Sequence, residues 1–572
     1  MPMLTHRVKF LIAWALLVLA KLVLAAQLDL FGDEAFYAWE GRHPAWAYSD
    51  LPAGTAWLAA LGQWFALGEP WVLRLPFMVL GAASPWLVVA TARLWFGPDA
   101  GWRAGLWSLA MPVMATLGLL ALPDVPLTFA TLLCLHAVAR LLQRPSAIGY
   151  ALLAAALVIG ALSHYRFVVV LGAGLAGLLL QSEGRRLLAR PATWAALAVG
   201  AMAWLPLLHW NLSHRGAGIG FQLVERHPWS FHLDGLAYPL IQAATVTPLL
   251  AMLLCWALWR SWLNWRRAVP GPWGLVLGAA GVPLLGYFVL GFFADNERVN
   301  FHWPLPAWLA LCTVLPALLD QATAATRRFA AGAGALAVSG VLAVYVLAGW
   351  ASVPSLRAGL AEGPVYPQNF SGWRELAEAS ADALDAMPAD TRLVADNFMP
   401  AAALAFHLAR RDVEVLDHAP NHKHGRAAQL AIWGRVVHDL GDRPRPVLLV
   451  VDAYSVKPRQ WLAWRQALCA VAGPLPVPGT VLVDGGARRF WLFELPPGRS
   501  PEGPCIAPAL AWIDAPAPGE RIAGEVLVHG WAMQEGVGVS RVEVVAGDRV
   551  LADAELGHLR EDLPDFWGHI GD

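Results

Sequence analysis

Charge is the scarce commodity in this chain. Asp, Glu, Lys and Arg make up 15% of its 572 residues while apolar types make up 57%. Soluble globular chains carry about a quarter charged residues, so this depletion excludes an ordinary soluble globule and points to lipid as the main solvent. The net charge is −1 and no run is rich in Lys or Arg, which argues against a nucleic-acid partner. Cysteine is equally sparse. Cys134, Cys255, Cys312, Cys469 and Cys505 are scattered, with no CxxC and no His/Cys cluster, so there is no zinc motif. Cys469 and Cys505 could pair if their domain lies outside the cytoplasm, which the sequence leaves open. Tryptophan, by contrast, is abundant at 30 residues. It suits headgroup-level belts and stacking faces for sugar or lipid.

Apolar windows of about 20 residues, the length that crosses a bilayer, fall near residues 9–28, 71–92, 104–122, 125–143, 147–163, 167–181, 193–210, 236–259, 273–293, 303–319 and 329–350. This predicts about eleven transmembrane helices, the fifth and sixth short. The first run exceeds the apolar core of a cleavable signal, although LVLAAQ imitates a cleavage site. With the N-terminus in the cytoplasm, the cytoplasmic connections hold fourteen Lys and Arg residues. The opposite side holds six, namely Arg42, Arg74, Arg166, Arg215, Arg226 and Arg298. The carboxylates run the other way, and positive charge marks the cytoplasmic face.

The opposite, extracytoplasmic side gathers the groups able to do chemistry. Ionisable residues near a bilayer are costly and are kept for function. Asp33 and Glu34 follow the first span in FGDEAFYAWEGRHPAWAYSDLP, which also carries Asp50. Asp124 sits in LPDVPLTF, in a short turn that Gly, Asn or Ser could have closed. Transfer of a glycosyl group needs a base to take the acceptor's proton, and carboxylates stabilise the oxocarbenium-like transition state. Asp33, Glu34 and Asp124 are therefore the candidate catalytic residues. The bland alternative is helix capping, since both acidic sites precede helices. Asp33 and Asp124 could also share a divalent cation such as Mg or Mn, the one cofactor the sequence raises, or divide base and orienting roles. A lipid-phosphate leaving group calls for fixed positive charge, with Arg74, His164, Arg166, Arg215 and Arg298 on the correct side. Tyr165 accompanies these in SHYRF, and HWNLSHRGAGIGFQ supplies Asn211 and His214 before a glycine-rich piece suited to a mobile loop. Its GAGIG run is too weak for a phosphate cradle.

After residue 350 the pattern changes. Residues 351–500 alternate helical and strand stretches, predicting a small extracytoplasmic α/β domain. Residues 501–512 read as a Pro-rich linker, and 513–572 as strands and turns of a β-sandwich-like segment, which could be truncated.

The order DEAFYAWEGRHPAWAYSDLPAGTAWLAALG, WVLRLPFMVLGA, ALPDVPLTFATL, GALSHYRFVVVLG, HWNLSHRGAGIGFQ and NFHWPLPAW, over residues 8–320, resembles the GT-C superfamily of polyprenyl-phosphate-sugar glycosyltransferases. Within it the likeness is to the bacterial branch of the protein O-mannosyltransferase-like family that includes the lipid A aminoarabinose transferase. Two positions depart from the family pattern. The usual His-Pro-Pro stands as Leu51-Pro52-Ala53, and the usual Lys of the fifth-span motif stands as His164, mostly neutral near pH 7 where Lys is charged. The resemblance implies a GT-C-like polytopic domain over 1–350 in a bacterial inner membrane. It implies inverting transfer from an undecaprenyl-type phosphate sugar to an extracytoplasmic acceptor such as lipid A, another glycolipid, a glycan or a protein, with Asp33 in the base position. It also adds His302, in NFHWPLPAW, to the substrate-binding candidates. A transporter or flippase of lipid-linked sugars is the main rival reading. Against it, the spans show no internal repeat, and the charges sit at helix ends rather than mid-membrane. A third reading is an acceptor-binding assembly subunit that works through its C-terminal segment.

Overall fold

The computed structural model describes residues 4–227, 229–294, 301–361, 363, 365–505, 509–517, 520–534 and 537–563. The chain forms two compact units. The first comprises Met1–Leu356 with His422–Gln429, and the second Arg357–Asn421 with Leu430–Asp572.

The first unit is helical. Thr5 caps α1 (His6–Gln27) by accepting from the Val8 amide. The chain then turns into α2 (Gly32–Gly41), whose first turn carries Asp33 and Glu34. After α3 (Gly54–Gln63) comes α4 (Pro70–Leu109), with Pro70 in its first turn, where a missing N–H costs nothing. This 40-residue element is not straight: Gly97 has φ 86° and is followed by Pro98. A Cβ on Gly101 would meet Val89 O at 2.8 Å and one on Gly105 would meet Val89 Cγ2 at 2.5 Å. Residues sixteen apart on a straight helix would lie about 24 Å apart. The element is therefore a hairpin whose first limb holds the 71–92 window and whose second, ending at Leu109, opens the 104–122 window.

Six helices among the described residues are long and apolar enough to cross a membrane, or up to eight if each bent pair counts as one span. The difference from the eleven windows lies in breaks that hydropathy does not register. Besides the hairpin, Ala147–Ser163 has only 17 residues. Phe167–Leu179 bends by 117° into Ser182–Leu188, and Leu233–Val246 bends by 108° into Pro248–Arg266. At that second bend Thr247 adopts φ 77°, which is strained for a β-branched residue. The 303–319 window divides into Leu305–Cys312 and Leu315–Asp320, each with a proline in its first turn.

The second unit holds a six-stranded mixed sheet. Its strands are β1 (Arg392–Ala395), β2 (Glu414–Leu416), β3 (Val436–Val437), β4 (Val447–Asp452), β5 (Gly479–Val483) and β6 (Arg488–Leu495), in spatial order β3-β2-β1-β4-β6-β5. The first four run parallel, while β6 is antiparallel to both β4 and β5. Strand β4 reads VLLVVD and is buried throughout, as expected of a strand covered on both faces. Cys469 and Cys505 form a disulfide in this unit, with Cα atoms 6.0 Å apart. Beyond it, Leu510–Ala515 pairs with His529–Met533 and Glu543–Ala546 with Arg549–Asp553, as two separate antiparallel pairs with largely exposed side chains. The described residues there provide strands but not the buried interior of a sandwich.

Candidate active site

The first group of side chains gathers on α2. Asp33, Phe36, Tyr37 and Glu40 occupy positions i, i+3, i+4 and i+7, which is one helix face. Arg426, from His422–Gln429, lies across that face. Its guanidinium is 4.3 Å from the Phe36 ring centroid and 4.9 Å from that of Tyr37. Its Nη2 is 3.3 Å from Asp33 Oδ1, and its Nη1 donates a short hydrogen bond to Asp50 Oδ2 and lies 3.9 Å from Glu40 Oε1. The segment is fastened by Ser49, whose Oγ donates to Gly425 O at 2.6 Å and whose amide donates to Gln429 Oε1 at 3.0 Å. Gly425 is required there. Its φ is 73°, and a Cβ would meet the Phe221 ring at 2.6 Å.

Electrostatics divides the three acids. Burial first, and then the Asp50 carboxylate, raise the Glu40 carboxyl well above its usual range, against the pull of Arg426. Of the three side chains, Asp33 is 30% exposed, Asp50 5% and Glu40 1%. Asp33 is thus the most exposed of the three carboxyls, while Asp50 faces Glu40 within the cluster.

The second group sits where Asp124 opens the Asp124–Gln143 helix. Arg166 Nη2 donates to Asp124 Oδ1 at 2.6 Å, and His302 Nε2 lies 3.0 Å from Oδ2. The Arg166 amide donates to His164 Nδ1 at 3.0 Å. Burial first, then Arg166 and Arg226, push His164 well below its ordinary range. His164 is therefore neutral and the fixed positive charge is Arg166. Trp303 has Arg166 at 4.5 Å and Arg226 at 5.3 Å from its ring centroid. Trp303 Nε1 is a buried donor without a hydrogen-bond partner among the described residues, and the Arg166 guanidinium also meets the Tyr287 hydroxyl. Arg166 and Trp303 line an apolar groove between helices that encloses about 720 Å³, open mouth included. Leu127, Leu135, Val169, Ala173, Ala279 and Ala307 are among its walls, and Arg166 is its charged lining residue.

Gln222 joins the two groups. Its Nε2 donates to Asp50 O at 2.7 Å, and its Oε1 accepts from Arg226 Nη1 at 3.0 Å.

Other expected site residues fall elsewhere. Glu34 and Arg74 are both 0% exposed. The two Glu34 oxygens accept from Arg74 Nε at 2.9 Å, Arg74 Nη2 at 2.7 Å, Ala121 N at 2.6 Å and Phe31 N at 3.0 Å. Arg74 also donates to Ala25 O, Leu28 O and Asp29 O. That uses all five guanidinium hydrogens. Contrary to the expected catalytic and substrate-binding positions, this pair faces no open space; it ties the end of α1, the start of α2 and the turn before Asp124. Asn211 braces the Gly-rich turn, accepting from Ile219 N at 2.8 Å and donating to Tyr165 Oη at 3.3 Å. His214 stacks on Trp210 at 4.3 Å, and Arg215 is exposed, in no ion pair among the described residues. Arg298 lies outside the described residues.

The two expected metal ligands, Asp33 and Asp124, already have basic partners. Asp33 is engaged by Arg426 and Asp124 by Arg166 and His302. No group of three His, Cys, Asp or Glu among the described residues is placed to hold a metal ion. Two residues central to the geometry escaped the sequence reading as site members. Arg226 stood only among the outer cations. Arg426 lies in NHKHGR, a basic and His-rich stretch inside an otherwise regular α/β pattern, which was the available signal.

Parts of the chain are similar to known proteins. Residues 50–210 match the family described as dolichyl-phosphate-mannose-protein mannosyltransferase, a stretch that includes Asp50, Asp124, His164 and Arg166. A lipid A galacturonosyltransferase, RgtD, of Rhizobium johnstonii is 29% identical over 238 residues, 41% of this chain and 50% of that protein. The chain thus spans about half the length of that relative. Among solved structures, ArnT from Cupriavidus metallidurans bound to undecaprenyl phosphate superposes with a TM-score of 0.59 at 17% identity, over 85% of this chain and 97% of that one. Its apo form gives 0.61 at 16% identity, with the same coverage. The chain thus shares the fold of ArnT, and its residues 50–210 are similar to the dolichyl-phosphate-mannose-protein mannosyltransferase family.

Proposed function

We propose that this protein transfers a sugar from a polyprenyl phosphate to a hydroxyl of an acceptor outside the cytoplasm, with inversion at the anomeric carbon. The observation that carries the reading is the apolar groove lined by Arg166 and Trp303, together with the partly exposed carboxylate of Asp33 in the cluster that Gln222 links to it. A prenyl chain suits the groove and a phosphate suits its head. Arg166, with Arg226 across the Trp303 ring, meets the charge that grows on the phosphate as the bond to carbon breaks. Asp33 takes the proton of the acceptor hydroxyl, whose oxygen attacks the anomeric carbon. The bonding electron pair leaves on the phosphate oxygen and releases polyprenyl phosphate. Asp124 holds Arg166 and His302 in place.

The undecaprenyl phosphate in the ArnT structure and the lipid A in the name of RgtD support a polyprenyl donor and an envelope acceptor. The asymmetry of Lys and Arg and the Cys469–Cys505 disulfide support an extracytoplasmic site in a bacterial inner membrane. Mass spectrometry of envelope lipids and glycans from cells with and without the gene tests the reading. One species heavier by a glycosyl residue should depend on the gene, and identical profiles would contradict it.

A further inference from the structure

We propose that Arg426 is a positioning residue that sets the Asp33 carboxylate for proton abstraction, so that the His422–Gln429 segment completes the site. This deepens the transferase reading and rests on Asp33 acting as base.

The geometry is specific to a guanidinium. One planar group reaches Asp33 with one nitrogen and Asp50 with the other while lying over Phe36 and Tyr37. A lysine ammonium is a point charge that cannot span both carboxylates and lie flat over two rings. Arg426 is only 2% exposed, and its backbone is held by the Ser49 contacts to Gly425 and Gln429. An arginine serving only solubility would not be buried against four side chains on one helix face. The cluster gathers three carboxyl groups around one guanidinium. Asp50 and Glu40 are nearly enclosed, so the orientation that Arg426 imposes is read out at Asp33. Proper aim of a base matters to the chemical step more than to substrate binding.

The test compares purified full-length Asp33→Asn, Asp50→Asn, Arg426→Lys, Arg426→Gln and the double variant Arg426→Gln/Asp50→Asn in donor turnover, with kcat and KM measured separately. The double variant guards against misfolding, because removing both members of a buried pair spares the fold the unpaired charge that a single substitution leaves. We expect Arg426→Gln to lower kcat by at least about tenfold with donor KM within about twofold, and Arg426→Lys to recover only part of it. The double variant should stay at least about tenfold below Asp50→Asn in kcat. A double variant equal to Asp50→Asn in kcat would overturn the inference, as would full recovery in Arg426→Lys. An active Asp33→Asn enzyme would instead overturn the base reading on which the inference rests, so the two failures are distinguishable.

Discussion

Asp33 and Glu34 are consecutive residues with opposite fates. About 100° apart on the first turn of one helix, Asp33 is 30% exposed beside Arg426, whereas Glu34 is fully enclosed by Arg74 and two backbone amides. Removing one partner of a buried ion pair costs about 3–5 kcal/mol because the other charge is left unpaired. Glu34→Ala and Arg74→Leu should therefore lower the thermal midpoint in detergent and the yield of folded protein. Asp33→Asn should not. Equal stability losses at Asp33 and Glu34 would remove the distinction.

Arg166 carries the donor phosphate in this account. Loss of one preorganised donor at a developing charge costs about 10²- to 10³-fold in rate. Arg166→Gln should show a fall of that size in kcat/KM for the donor, and Arg166→Lys should not restore it fully, because an ammonium cannot hold Asp124 and meet the phosphate with the geometry of a guanidinium. Normal kinetics in Arg166→Gln would move the phosphate site elsewhere.

His164 should confer a pH dependence on folding. Its folded pKa is depressed below the ordinary 6.5, so the unfolded chain binds the proton first as pH falls. Its contribution is full above about pH 6.5 and is lost as pH drops toward the folded value. Thermal midpoints between pH 7.5 and 5 should fall less steeply in His164→Gln than in wild type. Superimposable curves would contradict a buried neutral imidazole.

Chelation tests the pairing of the carboxylates. With Asp33 and Asp124 engaged by arginine and histidine, turnover after exhaustive treatment with EDTA should equal that of untreated enzyme. A loss restored by Mg or Mn would return this pair to the role of ligands.

Much of this site was legible because function concentrates at helix ends. Asp33, Asp50, Asp124, His164, Arg166 and His302 all lie where apolar runs stop, and the structure collects them into two groups bridged by Gln222. What sequence could not resolve was direction around a helix axis. Nothing in the Asp-Glu dipeptide says which carboxylate turns toward Arg74. The 236–259 hydropathy window likewise passes over Thr247, where a backbone dihedral rather than side-chain polarity breaks the helix. Arg426 was hidden by distance, 393 positions from Asp33 and inside a region whose strand and helix pattern is otherwise complete.

The most direct measurement is donor turnover by purified Asp33→Asn enzyme of verified fold. An amide keeps the size and hydrogen bonding of the carboxylate but cannot take a proton, and a general base contributes about 10²- to 10⁴-fold. The account predicts a fall of that size with insertion and thermal midpoint intact, since even a lost helix cap would cost only about 1 kcal/mol. Turnover close to wild type in that variant would contradict the assignment of Asp33 as the base.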